Sequence, residues 1–416
     1  MALSARFIQT TILFALAINF TAHAEQIITI DLAVKTALNR DTLIDVYQFR
    51  GDAYRAQSIA EDTLPDPKIK LGLMNVPTDT YAFNQEPMTQ VQLGIQQMFP
   101  RGNSLEIKSQ RAISMSLAED AKTENQRRKI KQEVRETWLE LYYWLNAEHV
   151  IRKNYNLFSE LVSVTKQQYA AGRQKQQDVI RSELELGMLD DRKMKVKTQL
   201  EITREKLTKF LGDDFSVTKL DSTLPVFNIQ QNQSTWLELH PMLRMEQALV
   251  SMSEKNVDLA KQSYKPSWML DLTYGKREKT ASGVERADFS SAMVMFDLPL
   301  FTGERQDKKV AASKHRLNSA LNKREERKRE LTKMWQSSTV KAKRLSQRIK
   351  QYENLLVPKS SENTKAAMFA YQSGRGAFTA LMRAQIIELE TQLRALRLIV
   401  DHKKTQAQLL YFVGEK

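Results

Sequence analysis

The chain has 416 residues, a net charge of +14, five His and no Cys. The absence of cysteine excludes a disulfide framework, a cysteine nucleophile and a lipobox anchor. The positive balance in a chain that opens on an export segment speaks against nucleic acid as a partner: Arg6 precedes an apolar run from Phe7 to Phe20 and the small-x-small site Ala22-His23-Ala24, so residues 1–24 are expected to be a cleaved signal peptide.

Residues 30–62 read as one amphipathic helix, with Leu32, Ala33, Ala37, Leu43, Val46 and Tyr47 on its stripe, ended by Leu64-Pro65-Asp66-Pro67. Strict alternation follows. Ile69, Leu71 and Leu73 face one way, and Lys68, Lys70 and Gly72 the other. After a loop at 75–88, Val91, Leu93 and Ile95 alternate with Gln90, Gln92, Gly94 and Gln96. A wall between water and lipid has this pattern, and so does a strand of a soluble sandwich.

From Asn103 to Ala170 there is no proline, and apolar residues recur at helical spacing from Ile130 to Val162. At ~1.5 Å per residue such a run reaches roughly 100 Å. Ala171-Gly172-Arg173 is the expected turn. The return helix, about 176–211, carries Leu184, Met188, Val196, Leu200, Leu207 and Leu211 and stops at Gly212. Residues 213–235 are polar and irregular. A helix over about 242–263, a strand at 267–275 with Trp268, Leu270, Leu272 and Tyr274 on one face, a charged loop and a less regular strand at 288–298 come next. Helical sequence then runs from about 304 to 372, with a kink expected at Pro358. Gly374-Arg375-Gly376 turns the chain into a last helix that reaches roughly Leu410.

The order is duplicated. Pro65 to Gly102 and Pro266 to Gly303 each span 37 positions; Gly102 to Gly172 spans 70, and Gly303 to Gly374 spans 71. The expected fold is mainly α with a small β part, in which a strand pair plus a long helical hairpin occurs twice, in 25–220 and 221–416. Four strands cannot close a membrane barrel, for which about eight is the practical minimum. Open edges are not tolerated in lipid. Strands that span a membrane must therefore be shared among copies, and three chains give twelve.

At this point the chain resembles the outer-membrane efflux protein family, the TolC-like outer-membrane factors, over essentially the whole mature sequence. His240-Pro241-Met242-Leu243 is similar to the family motif that opens each repeat; its first-half counterpart, Asn39-Arg40-Asp41-Thr42-Leu43, lacks the proline. Phe99-Pro100-Arg101-Gly102 and Leu298-Pro299-Leu300-Phe301-Thr302-Gly303 resemble the strand-to-helix corners. Tyr169-Ala170-Ala171-Gly172 and Tyr371-Gln372-Ser373-Gly374 resemble the periplasmic hairpin tips. The resemblance implies a homotrimer, with a β-barrel in outer-membrane lipid of a Gram-negative cell and an α-barrel in the periplasm. It also implies docking to a periplasmic adaptor (a membrane fusion protein) and an inner-membrane efflux pump. Leu64-Pro65-Asp66-Pro67, Met88-Thr89-Gln90 and Met98-Phe99-Pro100-Arg101-Gly102 look more like the heavy-metal branch, served by resistance-nodulation-division pumps, than the multidrug one.

The candidate adaptor-docking residues are Gly172, Arg173, Gly374 and Arg375. The family has leucine after the tip glycine where this chain has Arg173 and Arg375. Asp178 matches the family's aspartate slot and is the candidate entrance acid; an ordinary acid favoured by the helix dipole is the other reading. Pro100, Gly102, Pro299 and Gly303 mark the corners. Ile69, Leu71, Leu73, Val91, Leu93, Ile95, Trp268, Leu270 and Leu272 are the lipid-facing candidates. Met74, Met88 and Met98 invite a copper reading, with core or lipid-facing packing as the stronger alternative. His149, His240, His315 and His402 show no ligand spacing. The mixed charges at 323–330 suit a solvated helix face. No catalytic motif, cofactor loop or metal set occurs, so the chain is expected to be a passive duct and no enzyme. A soluble periplasmic coiled-coil scaffold or adaptor-like protein is the rival reading.

Overall fold

The computed structural model describes residues 27–213, 220–221, 223–229 and 236–414. The expected signal peptide lies outside them, as does much of the polar segment around the expected boundary at 220/221.

The first helical stretch is two helices, not one: α1 (Ile30–Arg40) and α2 (Thr42–Glu61). Asp41 interrupts them. Its backbone is extended, and its carboxylate accepts the Ile44 N–H at 2.9 Å, so it caps α2. The same device opens α6 (Pro241–Gln262): His240 Nδ1 accepts the Met242 N–H at 3.2 Å, and Pro241 takes the first helical position, where no donor is needed. The short α5 (Trp236–Leu239) precedes it.

α3 (Ser104–Ala170) is one helix of 67 residues, roughly 100 Å long. Its first half buries small residues, among them Ala112, Ser114, Ser116, Ala118 and Ala121, against α2 and α6. Small side chains let helix axes approach closely. Its second half buries the expected stripe at Ile130, Val134, Trp138, Leu141, Ile151, Phe158 and Val162. The Trp138 indole N–H donates to the Ile28 carbonyl at 3.0 Å, so the bulkiest core side chain leaves no donor unpaired. α4 (Gln176–Leu211) returns along α3 and ends at Gly212, which has φ +89°. Val196, Leu200, Leu207 and Leu211 are buried as expected, whereas Leu184 and Met188 are exposed, because no described element covers that end of the stripe.

The second long arm is α7 (Gln306–Gln351) and α8 (Val357–Gln372), returning as α9 (Phe378–Val413). The disturbance expected at Pro358 is a π-helical turn, Tyr352–Leu356. Pro358 has no N–H for the Asn354 carbonyl, and the widened turn just before it accommodates the mismatch; there Val357 N–H reaches back to Tyr352.

Four strands form one antiparallel sheet in the order β1 (Lys68–Met74), β2 (Gln90–Phe99), β3 (Trp268–Lys276), β4 (Phe289–Phe296). Among the described residues no helix packs on either face of it. No described helix is long and apolar enough to cross a membrane.

Candidate functional site

The register sorts the side chains of the sheet into two faces. Ile69, Leu71 and Leu73 lie opposite Ile95, Leu93 and Val91. Ile95 and Leu93 lie opposite Leu272 and Tyr274, and Phe99 opposite Trp268. Leu270 and Trp268 lie opposite Val294 and Phe296. All nine lipid-facing candidates therefore share one face, joined by Phe99, Tyr274, Val294 and Phe296. Ile69 and Leu71 are each 76% exposed and Leu73 64%. A fully buried aliphatic side chain is worth about 1.5–3 kcal/mol, so a continuous exposed face of this size marks a contact with something apolar. The Phe99 and Trp268 rings stack at 3.8 Å and close its helix-side end.

The opposite face is polar. Asp271 accepts from Gln96, from Thr273 at 2.7 Å and from Lys70 at 3.5 Å, which covers its carboxylate although the sheet is a single layer. Among the described residues neither edge strand, β1 nor β4, has an outer partner. One apolar face, one polar face and two unpaired edges among the described residues are features that a segment of a barrel wall also has.

The two corners differ. Gly102 has φ +47°, and a Cβ there would lie 2.3 Å from Gln262 Oε1; Gly303 has neither constraint. Pro100 and Pro299 are both half-buried. Beside Pro100, Arg101 donates to the Ser263 carbonyl at 2.9 Å and to Asp297, so the end of β2 is braced to the end of β4. Asp297 also accepts from Ser267 Oγ at 2.7 Å. These hydrogen bonds, from Ser267 above all, hold its carboxyl below the usual range. At the second corner Leu298, Leu300 and Phe301 are exposed.

The two tips share one geometry. Gly172 (φ +72°) donates to Tyr169 O at 2.9 Å and Arg173 to Gln168 O at 2.8 Å. Gly374 (φ +73°) donates to Tyr371 O at 3.0 Å and Arg375 to Ala370 O at 2.9 Å. Both are Schellman caps, with glycine at the left-handed position and arginine next. All four residues are exposed. The tips also touch: Tyr371 Oη donates to Gln168 Oε1 at 2.7 Å and accepts from Gln174 Nε2 at 3.3 Å. Asp178 is half-buried in the first turn of α4, where the positive end of the helix favours an acid.

Sequence reasoning missed the Asp271 network, the Arg101–Asp297 brace and the Tyr371 bridge. Each joins residues more than 170 positions apart, apart from the local Thr273 contact, and no local pattern announces such pairs. It also grouped Met98 with Met74. They stand at opposite ends of the first hairpin, and both lie on the polar face and are exposed, so the core or lipid-facing packing expected for them does not hold.

No protein-family model matches the sequence, and no curated protein matches it. Solved structures do match. A membrane protein from Pseudomonas aeruginosa superposes with a TM-score of 0.82 at 17% identity, over 94% of this chain and 91% of that one. The outer membrane protein VceC of Vibrio cholerae gives 0.79 at 14%, over 92% and 96%. The open state of the MtrE outer membrane channel of Neisseria gonorrhoeae gives 0.77 at 16%, over 92% and 88%. Such identities speak for the fold alone: over nearly its whole length this chain has the fold of outer-membrane channel proteins.

Proposed function

We propose that the chain is the outer-membrane channel component of a tripartite efflux system. In this reading three copies share a twelve-stranded barrel in outer-membrane lipid. Their helices continue it as a periplasmic tube, and the halves 25–220 and 221–416 contribute equivalent staves. The observation that carries the reading is the open-edged sheet with one exposed aliphatic face and one polar face, covered by no described helix. A soluble scaffold would leave that face in water. The exposed stripe Ile180, Leu184 and Met188 on α4 supports a neighbouring copy along the tube as well.

The sequence carries no phosphate-loop motif, and in this reading transport is driven by an inner-membrane pump through a periplasmic adaptor that meets the tips at Gly172, Arg173, Gly374 and Arg375. Asp178 would add a ring of charge at the entrance. The Tyr371 contacts with Gln168 and Gln174 would hold the two tips of one chain together in the closed state. The residue runs around Pro65 and Pro100 favour metal cations as cargo and a resistance-nodulation-division pump as partner. Outer-membrane fractionation followed by conductance recording in planar lipid bilayers tests the channel reading. Recovery in the outer membrane with stepwise ion conductance is expected. A protein found only in the soluble periplasm, inert in bilayers, would be the scaffold instead.

A further inference from the structure

The polar face of the sheet carries five methionines, Met74, Met98, Met269, Met293 and Met295, and three of them stand in one row. Met98 lies directly opposite Met269, and Met269 directly opposite Met295. The three form a row across β2, β3 and β4 on the face that carries Gln96, Lys70 and Asp271. Met98 and Met295 are 50% and 53% exposed. Half-exposed thioethers among glutamine, lysine and aspartate gain little from packing, and the aliphatic face is on the other side. Facing side chains on adjacent strands have Cβ atoms about 4.5–5.5 Å apart. Methionine has three rotatable bonds, which lets the outer sulfurs lean toward that of Met269.

The row sits at the helix-side end of the sheet. Met98 is the last residue but one of β2, Met269 the second of β3 and Met295 the last but one of β4. An ion moving from the helical part toward the strands would meet it first. Neutral sulfur ligands are soft and select soft monovalent cations over hard ones. A site without an anionic ligand, open to water on one side, holds such a cation loosely, as a conduction path requires.

We propose that Met98, Met269 and Met295 form a three-thioether site for a soft monovalent cation, Cu(I) or Ag(I), where the helical tube opens into the barrel. The assignment of this face to the water-filled side rests on the channel reading; the site names the class of cargo. The test is a titration of the purified full-length complex in detergent with Ag(I), a redox-inert probe, read by calorimetry and by silver X-ray absorption for Ag–S bonding. The comparison is the triple variant Met98→Leu/Met269→Leu/Met295→Leu, which keeps side-chain volume, with Met194→Leu on α4 as control. Bilayer conductance is recorded on the same preparations. The wild type and the control should bind one Ag(I) per chain through sulfur, and the triple variant at least about tenfold more weakly, with conductance unchanged. Equal silver binding by wild type and triple variant overturns the site, whether or not the channel conducts. Loss of silver binding in the triple variant with no conductance from any preparation keeps the site and removes the channel reading.

Discussion

Gly102 and Gly303 hold matching places after their strand pairs, yet only Gly102 needs to be glycine. Its left-handed backbone costs an L-residue roughly 1–2 kcal/mol, and a Cβ would also displace Gln262, which accepts the Asn103 N–H at 3.2 Å. Gly102→Ala should lower stability by about that amount in thermal melts, and Gly303→Ala by less than about 0.5 kcal/mol. His240 is the most perturbed base. Burial among Trp236, Tyr411 and Phe412 pushes it down to about 3, and the positive charges of Arg128 and Arg327 add to this. Unfolded, it titrates near 6.5. The unfolded chain therefore binds the extra proton between those values, so this contribution is whole above pH 6.5 and is lost as pH falls toward 3. Glu140 acts lower on the scale. Burial pushes its carboxyl up, but hydrogen bonds from Arg397 (2.8 Å) and Lys404 (2.8 Å) outweigh that and hold it below the usual range. Its contribution is present above about pH 4.3 and fades below it. Melting temperature should fall as pH drops from 6.5 to 4.5, and His240→Asn, which keeps a capping side chain, should flatten that slope. An unchanged slope would mean that other groups set it.

At the scale of elements, the caps decide where helices begin and end. Asp41 stops α1 and starts α2, a break hidden from periodicity because helical spacing continues on both sides; the carboxylate on the Ile44 N–H was the local signal available. Asp41→Ala should cost about 1 kcal/mol. The tips were legible, since a glycine between two long apolar stripes has few other uses. Their coupling through Tyr371 was not, because it depends on α3 and α8 ending side by side. Tyr371→Phe removes the hydroxyl from both partners and should raise the open fraction of the channel in bilayer recordings without changing single-channel size; an unaltered open fraction would take Tyr371 out of gating. A Cβ at Gly172 or Gly374 meets nothing within 4 Å in this chain, so bulk added there is felt by a partner, apart from the backbone cost. Gly172→Trp and Gly374→Trp should abolish efflux while oligomers persist. Gly172→Asn, which tolerates the left-handed region, should retain it. Efflux by both tryptophan variants would remove the tips from the adaptor contact.

For the whole molecule, the governing fact is an imbalance: the helices bury most of their large apolar side chains within the chain, with Ile180, Leu184 and Met188 of α4 left exposed, whereas the sheet leaves its aliphatic face uncovered. The first three strands were readable because aliphatics and polar residues alternate cleanly there. β4 was expected too, at 288–298, and lies at Phe289–Phe296, but its faces were harder to assign, since Met293 and Met295 stand on the polar face. The number of copies can be inferred only from what one copy leaves unfinished. The chain's freedom from cysteine makes a direct test simple. Val294→Cys on β4 is combined in turn with Ile69→Cys, Leu71→Cys and Leu73→Cys on β1, and the protein is oxidised in outer-membrane preparations. Within a chain the two strands are three spacings apart, about 14 Å, too far for a disulfide. At one of the registers, covalent species of two and three chains should form, and none larger. Chains that stay single at every register, in a preparation that still conducts, would contradict the shared barrel.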